Sequence, residues 1–186
     1  MVSTSGRDQA YRGARSGGAA DGALVRAREV AESVPDPELP MLTLADLGIL
    51  RDVAVDGDRV IVSLTPTYSG CPAMHEMRRD VAGRLAAAGF TSVDVRTVLS
   101  PPWSTDLISA AGRRKLAEAG IAPPRSRPVA HPGPVPLTLF ASGPPVACPA
   151  CGSADTQRTA AFSGTACKDL HRCRACGEPF EHMKEI

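Results

Sequence analysis

Two short cysteine motifs constrain the fold of this chain more than any other feature. They are CPACG at 148–152 and CRACG at 173–177, and 21 residues separate the inner cysteines. Two thiolates on one tight turn can bind the same ion, and two such turns complete a tetrahedral metal site. About forty residues cannot build a sufficient apolar core alone, so bound metal is expected to stabilise them. The pattern predicts a metal-binding ribbon at 147–186 with four ligands: Cys148, Cys151, Cys173 and Cys176.

The identity of the metal and the role of a fifth thiol stay open at the level of sequence. Zinc is the predicted ion because it is typical of four closed thiolates, and an iron-sulfur cluster or a mononuclear iron at the same cysteines is the alternative. Cys167 lies six residues before Cys173 and is an additional candidate ligand, a spare thiol or a packed residue. The spacing of His171 and His182 adds little, since four cysteines already satisfy the ion.

Length and composition indicate one ordinary domain and one small module. The 186 residues are 43% hydrophobic and 22% charged, as in an average globular protein. Residues 1–21 are predicted to be a disordered tail, 22–120 a folded domain, and 121–146, with eight prolines, a linker in which only 134–140 could form a strand. No apolar run reaches 18 residues and the first twenty residues hold no apolar signal segment, so we expect no membrane partner and a cytoplasmic location.

The domain at 22–120 reads as α+β. Apolar residues recur at helical spacing in 22–34, and two β-rich runs flank Asp56-Gly57, a dipeptide suited to a hairpin turn. A second helix follows Pro72, a strand covers 93–97, and a third helix covers 104–120. The predicted fold class is a small hairpin-containing sheet packed by helices, followed by the four-cysteine ribbon.

Cys71 stands apart from the other five cysteines, which all lie beyond residue 147. It falls between Gly70 and Pro72, where a strand is predicted to lead into a helix. Unpaired N–H groups and the helix dipole at that position favour the thiolate and predict a lowered pKa. The alternative is a small buried apolar residue. His75, one helical turn further, either shares a ligand with Cys71 or acts as its base, or is a solvated surface residue.

Several motifs around these residues resemble a known family. The segments DPELPMLTLADLGIL at 36–50 and TPTYSGCPA at 65–73 resemble the domain of SufT-like and eukaryotic cytosolic iron-sulfur assembly proteins. With the segment at 101–124 and the cysteine motifs, the chain resembles the phenylacetate degradation protein D family, accessory proteins of the phenylacetyl-CoA epoxidase. The resemblance implies that Cys71 handles a metal or cluster, with Asp36, Glu38 and Asp46 in surrounding loops. Asp36 and Asp46 are alternatively turn and cap residues that bond nearby backbone N–H groups, which is the interpretation we favour for Asp46.

We therefore predict a non-enzymatic factor that assists metal or iron-sulfur assembly in the epoxidase. The implied partners are its diiron oxygenase or ferredoxin-like reductase subunit and general iron-sulfur assembly proteins, while the oligomeric state is undetermined. One alternative is a zinc-ribbon module for nucleic acid or protein; however, residues 146–186 hold five Lys or Arg and five Asp or Glu, so nucleic acid is not a predicted partner. The other is a thiol enzyme with Cys71 as nucleophile and His75 as base, for which no third orienting group is visible.

Overall fold

The computed structural model describes residues 14–68, 70–125 and 145–185, and it has the predicted α+β architecture. The first domain contains three helices, a three-stranded sheet and a short 3-10 turn: α1 (Ala14–Glu32), β1 (Leu50–Asp56), β2 (Arg59–Leu64), α2 (Met74–Ala87), β3 (Ser92–Thr97), the turn (Thr105–Leu107) and α3 (Ala110–Glu118). The ribbon sheet contains β4 (Ile121–Ala122), β5 (Thr156–Ala160), β6 (Lys168–Cys173) and β7 (Pro179–Met183). The strand considered within 134–140 lies outside the described residues, as do residues 1–13 of the predicted tail.

Helix α1 begins earlier than the sequence boundary suggests. It starts at Ala14, so the prediction of a disordered segment extending to residue 21 is wrong for residues 14–21. The alanine-rich composition of this stretch favours helix and outweighs the glycines on which the prediction of disorder rested. Further along, Ala27 and Ala31 are fully buried against the domain core, and Pro35 follows shortly after the helix end, where it cannot continue the helix.

The sheet of the first domain has the order β1-β2-β3. β1 and β2 are antiparallel with Asp56 opposite Arg59, and Gly57 takes a φ of 62° in the turn, which confirms the predicted hairpin. β2 and β3 are parallel, so the chain between them must cross over, and α2 is that crossover. Alternate residues of β2 are buried, and Met77, Val81 and Leu85 of α2, which lie at helical spacing, belong to the same cluster of buried side chains.

The loop from Ser33 to Ile49 is tied to the core at several points and carries the acidic residues of interest. The N–H of Asp36 donates to the carbonyl of Leu42 (2.9 Å), and the N–H of Leu44 donates to that of Val34 (2.9 Å). Leu42 and Leu44 are fully buried. The loop backbone is therefore held in one position, and with it the carboxyl groups that it presents.

The ribbon is a four-stranded sheet of order β4-β7-β6-β5 in which β4 pairs in parallel with β7. The sequence predicts that Ile121 and Ala122 belong to the linker, because prolines follow them. In the structure they form strand β4, and burial of both apolar side chains stabilises it. The first domain thus leads directly into the ribbon sheet, and residues 126–144 of the predicted linker lie outside the described residues.

The ribbon also packs on the first domain. Cys167 and Met183 of the ribbon belong to the same cluster of buried side chains as the core of the first domain, whereas Cys148, Cys173, Phe180 and Ala122 form a small second cluster inside the ribbon. Among the helices in the described ranges, none has the length and apolar character needed to span a membrane.

Candidate metal sites

The four ribbon cysteines converge on one point. Their sulfur atoms all lie within 4.8 Å of one another, with 3.8 Å between Cys148 and Cys176 and 3.6 Å between Cys151 and Cys173. Four sulfurs at about 2.3 Å from a central ion stand about 3.8 Å apart in a tetrahedron. The spacing of the thiols therefore fits a tetrahedral metal ion, and the cluster is a metal-binding site.

Each cysteine pair sits on a tight turn that a glycine completes. The N–H of Gly152 donates to the carbonyl of Cys148 (2.8 Å), and the N–H of Gly177 donates to that of Cys173 (3.0 Å). Both glycines have a positive φ, 73° and 83°, which other residues rarely adopt. The backbone N–H of Cys176, followed by the Cys176 thiol and the backbone N–H of Ala175, bonds to the sulfur of Cys173 and lowers its pKa to about 7. At least one thiolate is thus readily available to capture a cation.

Cys167 is not part of this four-sulfur group. It lies at the end of the loop between β5 and β6, is 7% exposed, and is buried in the core shared with the first domain. Its sulfur is 3.1 Å from the hydroxyl of Thr165, and its carbonyl accepts the N–H of Lys184. Of the three interpretations open at the level of sequence, the structure favours a packed residue, because Cys167 is buried in the core cluster and lies outside the four-sulfur group.

Cys71 lies three residues before the first residue of α2, on the turn that follows Gly70. It is half-buried and packs against the core of the first domain. Burial raises the pKa of the Cys71 thiol, the backbone N–H groups of Ala73 and Met74 lower it less, and the charges of Glu38 and Asp36 raise it further. The predicted lowering of this pKa is therefore wrong in direction, because burial and two carboxylates outweigh the helix start.

The acidic residues of the 33–49 loop divide into two roles. Asp36 is 4% exposed, and its Oδ1 accepts the N–H groups of Glu38 (2.9 Å) and Leu39 (2.8 Å). Burial raises the pKa of Asp36 despite these bonds. Glu38 is exposed. Partial burial of its carboxyl group raises its pKa, and the negative charge of Asp36 raises it further. Both carboxyl groups act electrostatically on Cys71, so the structure brings these three predicted residues into one neighbourhood.

Asp46 has a structural role instead. Its carboxylate accepts the N–H of Thr43 (3.0 Å) and the Lys115 ammonium (2.6 Å), and its own N–H donates to the Thr43 hydroxyl (3.0 Å). Its carbonyl accepts the N–H of Ser109 at the start of α3.

His75 is exposed on the first turn of α2.

A buried group that sequence reasoning passed over joins Asp169, His171 and His182. The carboxylate Oδ1 of Asp169 lies 3.1 Å from His171 Nε2 and 3.0 Å from His182 Nδ1. Asp169 and His171 alternate on β6, so both point to one face, and the register places His182 opposite Asp169. Burial lowers the pKa of His171. The spacing of Asp169 and His171 by two residues could have indicated that they share one face of a strand. The pairing of β6 with β7, which brings His182 to them, was not deducible from spacing.

Two family models match different parts of the chain. An iron-sulfur cluster assembly protein model matches residues 26–96, and a PaaD zinc beta ribbon domain model matches residues 132–184. The crystal structure of a domain of unknown function, DUF59, from Bacillus anthracis superposes with a TM-score of 0.50 at 26% identity and covers 54% of this chain and 96% of its own. A solution structure of a Mycobacterium tuberculosis protein associated with Fe-S complex assembly and repair, also 26% identical over 53% of this chain and 84% of its own, gives a TM-score of only 0.31.

Fold and site together define an iron-sulfur assembly domain joined to a zinc ribbon. A curated relative, the putative D subunit of the 1,2-phenylacetyl-CoA epoxidase of Escherichia coli (strain K12), is 40% identical over 154 residues, which are 82% of this chain and 87% of that protein. The chain belongs to the phenylacetate degradation protein D family.

Proposed function

We propose that this protein is a non-enzymatic maturation factor that helps to assemble iron or an iron-sulfur cluster in the phenylacetyl-CoA epoxidase. The observation that carries the proposal is the half-buried Cys71 thiol beside Asp36 and Glu38, in an iron-sulfur assembly domain of a chain related to an epoxidase component. The cargo is iron, alone or with sulfide, and it is bound transiently rather than kept as a resident cofactor.

The surroundings of Cys71 suit transient binding of a cation. Because burial and nearby carboxylates raise the pKa of the Cys71 thiol, it keeps its proton until a cation replaces that proton. The carboxylates of Glu38 and Asp36 supply negative charge that attracts the incoming ion. Such a site binds iron when iron is available and takes a proton back when the ion leaves.

The ribbon ion has a different role in the proposal. Four protein thiolates close its coordination, so no position is open for substrate, which is typical of structural zinc. We propose zinc at Cys148, Cys151, Cys173 and Cys176, and its contribution is to hold the ribbon folded. Metal analysis of the chain purified without oxygen is expected to give one zinc per chain and no sulfur-to-iron absorption from these cysteines.

The proposed partners follow from the family. They are the diiron oxygenase or ferredoxin-like reductase subunit of the epoxidase and general iron-sulfur assembly proteins, encountered in the cytoplasm. Co-purification of the tagged chain with each epoxidase component, expressed one at a time, distinguishes the two clients. If the tagged chain co-purified with neither the oxygenase nor the reductase subunit, a direct role in maturation would be contradicted.

The decisive experiment measures the client rather than this chain. Cys71→Ser conserves volume but removes the soft ligand, so we expect epoxidase subunits from cells that carry this variant to contain less iron and to be less active. A melting temperature and circular dichroism spectrum equal to those of the wild type show that the variant has folded, and one retained zinc shows that its ribbon is intact. His75→Ala in parallel tests whether the exposed ring assists, with a partial loss expected only if it shares the ligand. Normal iron and sulfide in both client subunits with Cys71→Ser would overturn the proposal.

A further inference from the structure

Three buried polar side chains of the ribbon form a compact group outside the four-cysteine site. Asp169, His171 and His182 are between 3% and 7% exposed. Their ligand atoms, one carboxylate oxygen and two ring nitrogens, all lie within 4.8 Å of one another. Asp169 and His171 share one face of β6, and His182 lies opposite Asp169 on β7. Two paired strands therefore hold the group together.

The spacing of these atoms fits the coordination of one metal ion. Asp169 Oδ1 lies 3.1 Å from His171 Nε2 and 3.0 Å from His182 Nδ1. Ligand atoms at about 2.0–2.1 Å from a tetrahedral ion stand about 3.3 Å apart. A small outward movement of the two rings makes room for an ion at the point that the three atoms face. Two imidazoles and one carboxylate are a ligand set that binds ferrous iron and zinc in proteins.

The hydrogen bonds of the group leave two ring nitrogens unsatisfied when no ion is bound. A carboxylate only accepts, so each neutral ring turns an N–H toward Asp169. The outer nitrogens, His171 Nδ1 and His182 Nε2, are then acceptors, and both are buried without a hydrogen-bond partner among the described residues. Buried polar atoms nearly always have a partner, so two unsatisfied atoms in one group indicate that a component of the site is missing.

Glu185 lies beside the outer nitrogen of His182. Its Oε1 is 3.7 Å from His182 Nε2, which carries a lone pair toward this carboxylate when the N–H faces Asp169. An ion bound at Nδ1 reverses the arrangement, because the ring proton then lies on Nε2 and can be donated to Glu185. Metal-bound histidines usually donate their other N–H to a carboxylate or carbonyl in this way.

The charges around the group also suit a divalent cation. Asp169 and Glu185 supply two negative charges. The Arg158 guanidinium, 3.9 Å from Asp169 Oδ2, opposes a cation, but its side chain is 62% exposed and water screens its charge.

We propose that Asp169, His171 and His182 bind one divalent transition metal ion, ferrous iron or zinc, at a second metal site of the ribbon. Three protein ligands leave a coordination position for water, so this ion exchanges more readily than one enclosed by four thiolates. The purified chain therefore keeps its ribbon zinc, and the second site is filled when metal is added. Binding moves each ring proton from the inner to the outer nitrogen, with no proton released and no change in oxidation state. The inference does not depend on Cys71.

The experiment uses the full chain with Cys71→Ser and with zinc in the ribbon, dialysed against ferrous iron without oxygen. Removal of the Cys71 thiol takes the sulfur ligand from the proposed cargo site, so bound iron reports the second site. We expect one iron per chain. X-ray absorption at the iron edge, which does not detect the zinc, is expected to show imidazole nitrogen and oxygen ligands and no sulfur. Dialysis against zinc is expected to raise the zinc content from one to two per chain.

A substitution in the same chain tests the assigned residues. Asp169→Asn keeps the shape of the side chain and removes the charged ligand, so it should weaken iron binding at least about tenfold, the loss that even an outer partner of a ligand causes. Asp155→Asn is the matched control, because Asp155 is an exposed carboxylate of the ribbon outside the group, and it should leave iron binding unchanged. Retained ribbon zinc and an unchanged circular dichroism spectrum show that each variant has folded.

The outcomes separate this inference from the proposed function. Iron with nitrogen and oxygen ligands, weakened by Asp169→Asn but not by Asp155→Asn, supports the second site. Sulfur ligands at the iron, or equal affinity in folded Asp169→Asn, overturn it. Iron that the wild type binds and the Cys71→Ser chain does not bind overturns this inference and leaves the proposed function standing. The ligands seen at the iron edge decide between these outcomes even if Asp169→Asn fails to fold.

Discussion

Replacement of Asp46 tests whether this aspartate is part of the framework, as its contacts indicate. Its side chain is 11% exposed and bonds the Lys115 ammonium at 2.6 Å and the Thr43 N–H at 3.0 Å. A hydrogen bond between charged groups contributes about 1.5–3 kcal/mol, but Lys115 is 41% exposed, so we reduce its share to about 1 kcal/mol. The Thr43 bond resembles a helix cap and contributes about 1 kcal/mol.

Two substitutions separate these contributions. Asp46→Asn keeps an oxygen for the Thr43 N–H and loses only the charge, so it is expected to cost about 1 kcal/mol. Asp46→Ala loses both bonds and is expected to cost about 2 kcal/mol, which corresponds to about 4–8 °C in Tm for a chain of this size. Urea denaturation of metal-loaded protein measures the free energies, and the Lys115→Met background should cancel most of the effect of Asp46→Asn.

The stability difference between wild type and Asp46→Asn should also depend on pH in a definite direction. Burial raises the pKa of Asp46, but the bonds from Lys115 and Thr43 outweigh it and hold the pKa below its ordinary value. A lowered carboxyl pKa stabilises the fold above the unfolded value of about 3.9, and this contribution disappears as the pH falls through the lower folded value. The difference between wild type and Asp46→Asn should therefore be full at pH 7 and shrink below about pH 4. An equal difference at pH 7 and pH 3, or none at pH 7, would refute the reasoning.

Three further predictions address other parts of the molecule. Alkylation of Cys71 by iodoacetamide should have a pH midpoint above that of a free thiol, since burial raises its pKa; a lower midpoint would restore the helix-start argument. Cys148→Ala should release the ribbon ion and make residues 147–185 sensitive to protease. Cys167→Ala is the control, because it leaves the four ligands intact. Metal retained by Cys148→Ala would contradict the prediction. Gly48→Ala should cost about 2–4 kcal/mol in thermal or urea unfolding, because φ is 67° and a Cβ would lie 2.5 Å from the carbonyl oxygen of Leu107. Gly57→Ala, with a φ of 62° and open space, should cost only about 1 kcal/mol, and equal costs would exclude the steric explanation.

Features that depend on neighbours in sequence were predictable. The cysteine turns, the hairpin at Gly57 and the helical spacing of Met77, Val81 and Leu85 are all encoded within a few residues, and local geometry determines each of them. The same holds for the interpretation of Asp46 as a residue that bonds nearby N–H groups, although its bond to Lys115 joins residues 69 positions apart.

Features that depend on tertiary approach were not predictable from spacing. The helix start near Cys71 was visible in the sequence, but the carboxyl groups that reverse the direction of its pKa shift belong to a loop more than 30 residues earlier. Cys167 lies six residues from a ribbon ligand and is still outside the four-sulfur group, because strand β6 begins at Lys168 and the loop before it docks on the first domain. Proline content concealed β4, whose two residues become a strand only when β7 lies beside them.

The parallel pairing of β4 with β7 has a consequence for the lifetime of the protein in the cell. β4 directly follows α3 of the first domain, yet its hydrogen-bonding partner belongs to the ribbon. If the ion leaves and the ribbon unfolds, β4 loses its partner, and the buried side chains near Met183 and Ile121 become accessible to water and proteases. Turnover of the whole chain should therefore increase when the metal is scarce, so that the amount of this protein in the cell follows the metal supply.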